Sequence, residues 1–212
     1  MGRHPALAQR RLAHPQAPRP QHPAQAPRPR RRLRRTSGAR ATQFDCFHVD
    51  RLAGSRGVVW QYTAIDVASA YTWAELHVTP HGPQAKWTSQ LARRVAADLA
   101  ARGWELETVM ADNGSEFRSQ LFGETVAQLG ARQRFIHAGR PQTNGCVERV
   151  QGTILEECWK PAFARHLIPK QNGLRRDLAR YLRYYNTDRA HTGRWTRGRT
   201  PESVIGKARL WS

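Results

Sequence analysis

Asp112 opens the string Asp112-Asn113-Gly114-Ser115-Glu116-Phe117, and Glu148 sits in Asn144-Gly145-Cys146-Val147-Glu148-Arg149, leaving 35 residues between the two acids. A third acid, Asp50, ends the strand-like run Phe44-Asp45-Cys46-Phe47-His48-Val49-Asp50, with 61 residues separating it from Asp112. Two Asp and one Glu carried to one point can hold a pair of divalent cations, the device with which polymerases and nucleases clamp the attacking and leaving oxygens of a phosphodiester. These residue types point to chemistry on a nucleic-acid backbone. Each acid also suits a plainer use. Asp112 before Asn-Gly fits a turn, and Glu148 in a first helical turn complements the helix dipole. Asp45 and Asp66 are strand-borne acids close to Asp50, and strand alternation puts Asp45 on the opposite face from Asp50.

The acids need elements to deliver them. Residues 44–52, 58–66 and 71–78 read as three antiparallel strands in a meander. Residues 84–102 carry Trp87, Leu91, Val95 and Leu99 at four-residue steps, a helical stripe closed by Gly103. Residues 105–111 form a fourth strand with Asp112 at its end. Ser115 is expected to cap a helix whose buried face is Phe117, Leu121, Phe122, Val126 and Leu129, and residues 132–136 read as a short fifth strand. Residues 137–146 are too rich in Gly, Pro and Asn for regular structure, and a mobile loop is expected there. Arg140, Asn144 and Gly145 on that loop, with Arg149 beside it, are candidates for placing a scissile phosphate, because a loop can close over DNA with backbone N–H groups and a guanidinium. Glu148 falls in the first turn of a helix running to about Trp159 and ended by Pro161. A further amphipathic helix carries Leu174, Leu178, Tyr181, Leu182 and Tyr185, and Thr200-Pro201-Glu202 starts a last short one.

Net charge follows the same partition. Residues 1–44, 45–148 and 149–212 carry +11, −1 and +9, which together make the +19 of the 212-residue chain. A near-neutral centre between basic flanks suits a site that holds cations among carboxylates while the flanks neutralise a polyanion. Residues 1–43, crowded with Pro, Gln, Ala and Arg, read as a disordered basic tail. Residues 44–165 read as one catalytic core and 166–212 as its helical extension. Three irregularly spaced cysteines exclude a disulfide framework or a zinc module. No apolar run approaches the roughly 18 residues of a membrane span, so no membrane partner is expected.

The strings His48-Val49-Asp50, Ile65-Asp66-Val67-Ala68-Ser69, Asp112 to Phe117 and Pro141 to Arg149, in this order, resemble the integrase catalytic core shared by retroviral integrases and the DDE transposases of bacterial insertion sequences. Tyr185-Asn186-Thr187-Asp188-Arg189-Ala190-His191 with Thr200-Pro201 resembles the C-terminal signature of the bacterial branch, and the likeness spans residues 44–206. The resemblance implies a ribonuclease H-like α/β fold with a central mixed five-stranded sheet flanked by helices. It implies a catalytic and metal-binding triad of Asp50, Asp112 and Glu148, two Mg²⁺ or Mn²⁺ ions, and Asp66 in a structural role. It further implies cleavage and strand transfer on DNA element ends and target DNA, a homo-oligomer when active, and a bacterial cytoplasmic setting at the nucleoid. Transposases of this kind carry helix-turn-helix segments before the core, and the tail lacks the periodicity for one, so an N-terminally truncated product is expected. A non-catalytic DNA-binding remnant and a ribonuclease H-like nuclease are the alternatives.

Overall fold

Strand β1 (Arg40–Asp50) is the central strand of the sheet. It pairs antiparallel with β2 (Val58–Asp66), which pairs antiparallel with β3 (Thr72–Thr79). On its other edge it pairs parallel with β4 (Leu106–Ala111), which pairs parallel with β5 (Arg132–Phe135), giving a mixed sheet in the order β3-β2-β1-β4-β5. This computed structural model describes residues 40–52, 57–136, 145–166, 168–193 and 196–206. The expected basic tail, apart from its last residues, and the loop at 137–144 lie outside them.

Helices cover both faces. The first is packed by α1 (Ala85–Ala101), α2 (Ser115–Arg118), α3 (Gln120–Gln128) and α7 (Pro201–Ile205), around Phe44, Tyr62, Trp73, Leu91, Val95, Phe117, Phe122 and Ile205. The second is packed by α4 (Gly145–Ile154), a π turn (Leu155–Trp159), α5 (Lys160–Arg165) and α6 (Gln171–Thr187), over Val59, Ile65, Ala74 and Leu76. The connection from β1 to β4 passes through the meander and α1, while β4 reaches its parallel partner β5 through α2 and α3, as parallel pairing requires.

Four local expectations change. β1 starts at Arg40, so residues 40–43, which composition assigns to the tail, are sheet. Thr42 and Gln43 are buried polar residues there and give no aliphatic signal. The helix after Asp112 is two pieces, because Ser119, and not Ser115, caps the second by accepting from the Phe122 N–H; the break leaves Leu121 45% exposed. Pro161 does not end the helix that carries Glu148. A π turn precedes it, and Pro161 falls in the first turn of α5, so the helical path continues through the proline to Arg165. A bulge after His48 shifts the register so that Asp50 pairs with Val59, and simple alternation fails over the last residues of β1.

α6 lies along the free edge of β3. Asn186 donates to the Thr72 carbonyl and accepts the Thr72 N–H, both at 2.9 Å, and the Arg175 guanidinium donates twice to the Leu76 carbonyl. These side chains satisfy edge groups that would otherwise stay unpaired, worth about 1 kcal/mol per bond. The Thr200 hydroxyl caps α7 and Pro201 is its first residue, as the sequence predicts.

Candidate active site

The parallel register of β1 and β4 sets Phe44 beside Ala111. The next residue of each strand is an acid, so Asp45 and Asp112 leave adjacent strands side by side. Asp112 stands just past the end of β4, where its Oδ1 accepts the Gly114 N–H at 2.9 Å and closes the turn into α2. Asp45 lies mid-strand and half-buried, with its Oδ1 accepting the Cys46 N–H at 2.8 Å.

Glu148 arrives on α4. The first turn of that helix is pinned to β1 by the Val147 N–H donating to Gln43 Oε1 at 3.1 Å. Gln43 and Asp45 share one face of the strand, two residues apart, so the pin brings Glu148 to the Asp45 carboxylate. A fourth acid, Glu116, is buried 8% exposed at the start of α2, against the Cys46 thiol on the other face of β1. Gly114 allows this fold-back, since a Cβ there would stand 2.8 Å from the Glu116 carboxylate.

Electrostatics show the same convergence. Burial pushes the Asp45 carboxyl from 3.8 up to about 7, against the lowering effect of the Cys46 N–H, and the negative charges of Asp112, Glu148 and Glu116 raise it further. The Cys46 thiol is pushed up by burial and then by Glu116 and Asp45. Among the described residues neither Asp45 nor Asp112 forms an ion pair with a basic side chain. Nor is any trio of His, Cys, Asp or Glu there already closed into a metal cage. The all-oxygen donor set nonetheless fits a hard divalent cation, which keeps waters and takes part of its shell from substrate phosphates.

The structure therefore brings Asp112 and Glu148 together, and the acid it adds is Asp45 in place of Asp50. β1 runs on past the end of β4, and five residues at about 3.3 Å each put Asp50 roughly 16 Å beyond Asp45. Asp50 is exposed and accepts the Arg51 N–H at 2.7 Å, and the charges acting on Asp45 do not include it. The signal for Asp45 was its spacing from Gln43 on one strand face, legible only once the covering helix is known. Gly145 is the first residue of α4. Arg149 follows Glu148 but faces the far flank of α4, where it lines a cleft of about 930 Å³ with Cys146, Thr153, Tyr184, Arg189 and His191. Arg140 and Asn144 lie outside the described residues. No helix among the described residues is long and apolar enough to cross a membrane.

The sheet order and the helices on both faces are those of a ribonuclease H-like α/β fold, the fold of the integrase catalytic cores that this chain resembles. Residues 129–201 match the family described as Integrase core domain. A chain of the simian T-cell lymphotropic virus intasome, determined by cryo-EM in complex with the PP2A regulatory subunit B56 gamma, is similar with a TM-score of 0.64 and 19% identity, over 81% of this chain and 56% of that one. The HTLV-2 integrase catalytic core domain, solved with magnesium in a trimeric form, is similar with a TM-score of 0.56 and 18% identity, over 78% of this chain and 95% of that one. The present chain thus spans little more than half the length of the first and nearly all of the second. No curated protein matches the sequence.

Proposed function

We propose that this chain is a metal-dependent polynucleotidyl transferase that cuts and joins DNA, a transposase or integrase acting on element ends and target DNA as a homo-oligomer. The observation that supports it is the convergence of Asp45, Asp112 and Glu148 from two parallel strands and one helix, with the Asp45 carboxyl raised by burial and by its acidic neighbours. A cluster of like charges costs stability, and a divalent cation is the partner that offsets the cost. The similar HTLV-2 core was solved with magnesium, which supports the same cation here.

Asp45, Asp112 and Glu148 would hold two Mg²⁺ or Mn²⁺ ions. When bound, these supply activation of the attacking oxygen and stabilisation of the departing one. The protein's part is placement. β1 and β4 fix two carboxylates on a rigid sheet, and α4 adjusts the third. Asp45 is half-buried, and Asp112 is exposed with its Oδ1 accepting the Gly114 N–H. Arg149 and the basic C-terminal flank supply cations for the DNA backbone outside the acidic centre.

The test compares Asp45→Asn, Asp112→Asn, Glu148→Gln and Asp50→Asn on a branched DNA substrate, which presents both strands already aligned, with Mn²⁺. The first three are expected to abolish strand rejoining with DNA affinity near wild type, while Asp50→Asn keeps it. Nicking without any rejoining in the wild type favours a ribonuclease H-like nuclease. No reaction in a well-folded wild type favours a DNA-binding remnant. Loss in Asp50→Asn with retention in Asp45→Asn would overturn the assignment of the first acid.

A further inference from the structure

Helix α4 carries Glu148, yet its rotation is set by contacts well beyond its first turn. At one end the Val147 N–H is seated on Gln43 of β1, and at the other the Trp159 indole Nε1–H donates to Gln61 Oε1 of β2 at 2.8 Å. Trp159 lies twelve residue steps beyond Val147, and in an unbroken α-helix twelve steps leave them about 120° out of phase. The π turn at Leu155–Trp159 holds an extra residue and brings both onto the sheet face. Removing that extra residue with Trp159 still seated would swing the first turn of α4 by about 100° and carry Glu148 away from Asp45.

Pro161 follows this wide turn and cannot donate to the Glu157 carbonyl one α turn back, while the Glu157 side chain ties the turn to α6. Its Oε1 accepts from Arg189 Nη2 at 2.7 Å, and its Oε2 accepts from Arg189 Nε at 3.2 Å and from the Tyr181 hydroxyl at 2.8 Å. Burial works against the Glu157 carboxylate, but the bonds from Arg189 and Tyr181 outweigh it and hold its pKa below the ordinary value. Arg189 also lies over the Tyr185 ring, with its guanidinium carbon 5.7 Å from the centroid. Tyr181 and Tyr185 are buried against the second face of the sheet, so the clamp is built on a fixed surface. Asn186, between them and Arg189, ties the same stretch of α6 to the β3 backbone.

We infer that Glu157, gripped by Arg189 and Tyr181, is a positioning residue for the cation site: it holds the π turn open and so sets the rotation of α4 that presents Glu148 to Asp45 and Asp112. The C-terminal Tyr185-to-His191 segment then serves the acidic centre from a distance. This inference rests on the proposed function for its effect on catalysis, while its structural half is independent of that reading.

The experiment uses the full chain with Glu157→Ala, Arg189→Ala, the double variant and Glu157→Gln. Mn²⁺ binding is followed by electron paramagnetic resonance, and Mn²⁺-dependent plasmid nicking is resolved into kcat and KM. Hydrogen exchange of the Trp159 indole and the Val147 amide is followed by NMR. Each alanine variant is expected to weaken Mn²⁺ binding and kcat about tenfold with KM for DNA unchanged. The double variant should be no worse than the poorer single one, and Glu157→Gln should retain much of both. Exchange at Trp159 and Val147 should quicken while α1 amides hold. Wild-type Mn²⁺ binding and kcat in the alanine variants would overturn the inference, as would losses that track the melting temperature with Trp159 exchange unchanged. If the wild type neither binds Mn²⁺ nor cuts DNA, the proposed function fails, and the exchange data alone decide: faster at Trp159 and Val147 supports the clamp, unchanged overturns it.

Discussion

Asp66 and Asp45 hang from neighbouring strands of one sheet, about three residue steps apart, and are treated in opposite ways. Asp66 is fully buried, and its Oδ2 accepts from Arg40 Nη1 at 3.1 Å and from the backbone N–H and hydroxyl of Ser69. Arg40 in turn lies over the Trp104 ring at 3.7 Å. Asp45 is half-buried, and the charged groups that act on it are other acids. One carboxylate is compensated inside the protein and serves the fold. The other waits for compensation from outside, which is what a cation site requires.

The largest expected effect comes from breaking the compensated side. Arg40→Ala leaves the Asp66 carboxylate buried without its counter-charge and should cost about 3–5 kcal/mol in urea unfolding. A loss under about 1 kcal/mol would mean that Asp66 relaxes toward water and that the contrast is smaller than drawn. On the uncompensated side, a saturating cation should stabilise. Mn²⁺ at a hundred times its dissociation constant should add about 2.7 kcal/mol to the wild type and nothing to Asp45→Asn, read as a shift in melting temperature.

A smaller effect of opposite sign to Arg40→Ala is expected for Asp45→Asn without metal, which should gain on the order of 1–2 kcal/mol at neutral pH. The sign follows from proton linkage. The folded Asp45 carboxyl titrates near 7 and the unfolded one near 3.8, so between those values the native state holds the extra proton. Its cost is absent below about pH 4, grows as pH rises toward 7, and then levels off. The wild type should therefore lose stability over that window relative to Asp45→Asn; parallel pH profiles for the two would sink the account. The smallest effect is reserved for Asp50→Asn, whose stability should stay within about 0.5 kcal/mol of wild type because the side chain is exposed at a strand end.

Much of this architecture was legible in the chain. The meander, the stripe of Trp87, Leu91, Val95 and Leu99, the strand delivering Asp112, and the Thr200-Pro201 start all follow from local periodicity and capping chemistry, and each is found. Asp112 stands at a strand end and Glu148 in a first helical turn, the local positions the sequence predicts for them, and both act on the Asp45 carboxyl. The choice between Asp45 and Asp50 was not legible, since alternation ranks faces without saying which face an acidic helix will cover. The deciding contacts, Phe44 beside Ala111 and Val147 on Gln43, join residues far apart in sequence, and the bulge after His48 breaks the alternation rule near Asp50. The π turn escaped for a related reason: its bonds to Gln61, Tyr181 and Arg189 join residues far apart in sequence, and Pro161 read locally gives a stop.

The seal that α6 places on β3 has a consequence for how the domain can be handled. A chain trimmed after Arg165 would keep Asp45, Asp112 and Glu148, yet would strip Asn186 and Arg175 from the Thr72 and Leu76 backbone and uncover Ile65, Ala74 and Leu76. The bare strand would then be a template for its own copies, and the shortened protein should precipitate as sheet-paired aggregates before its activity could be judged.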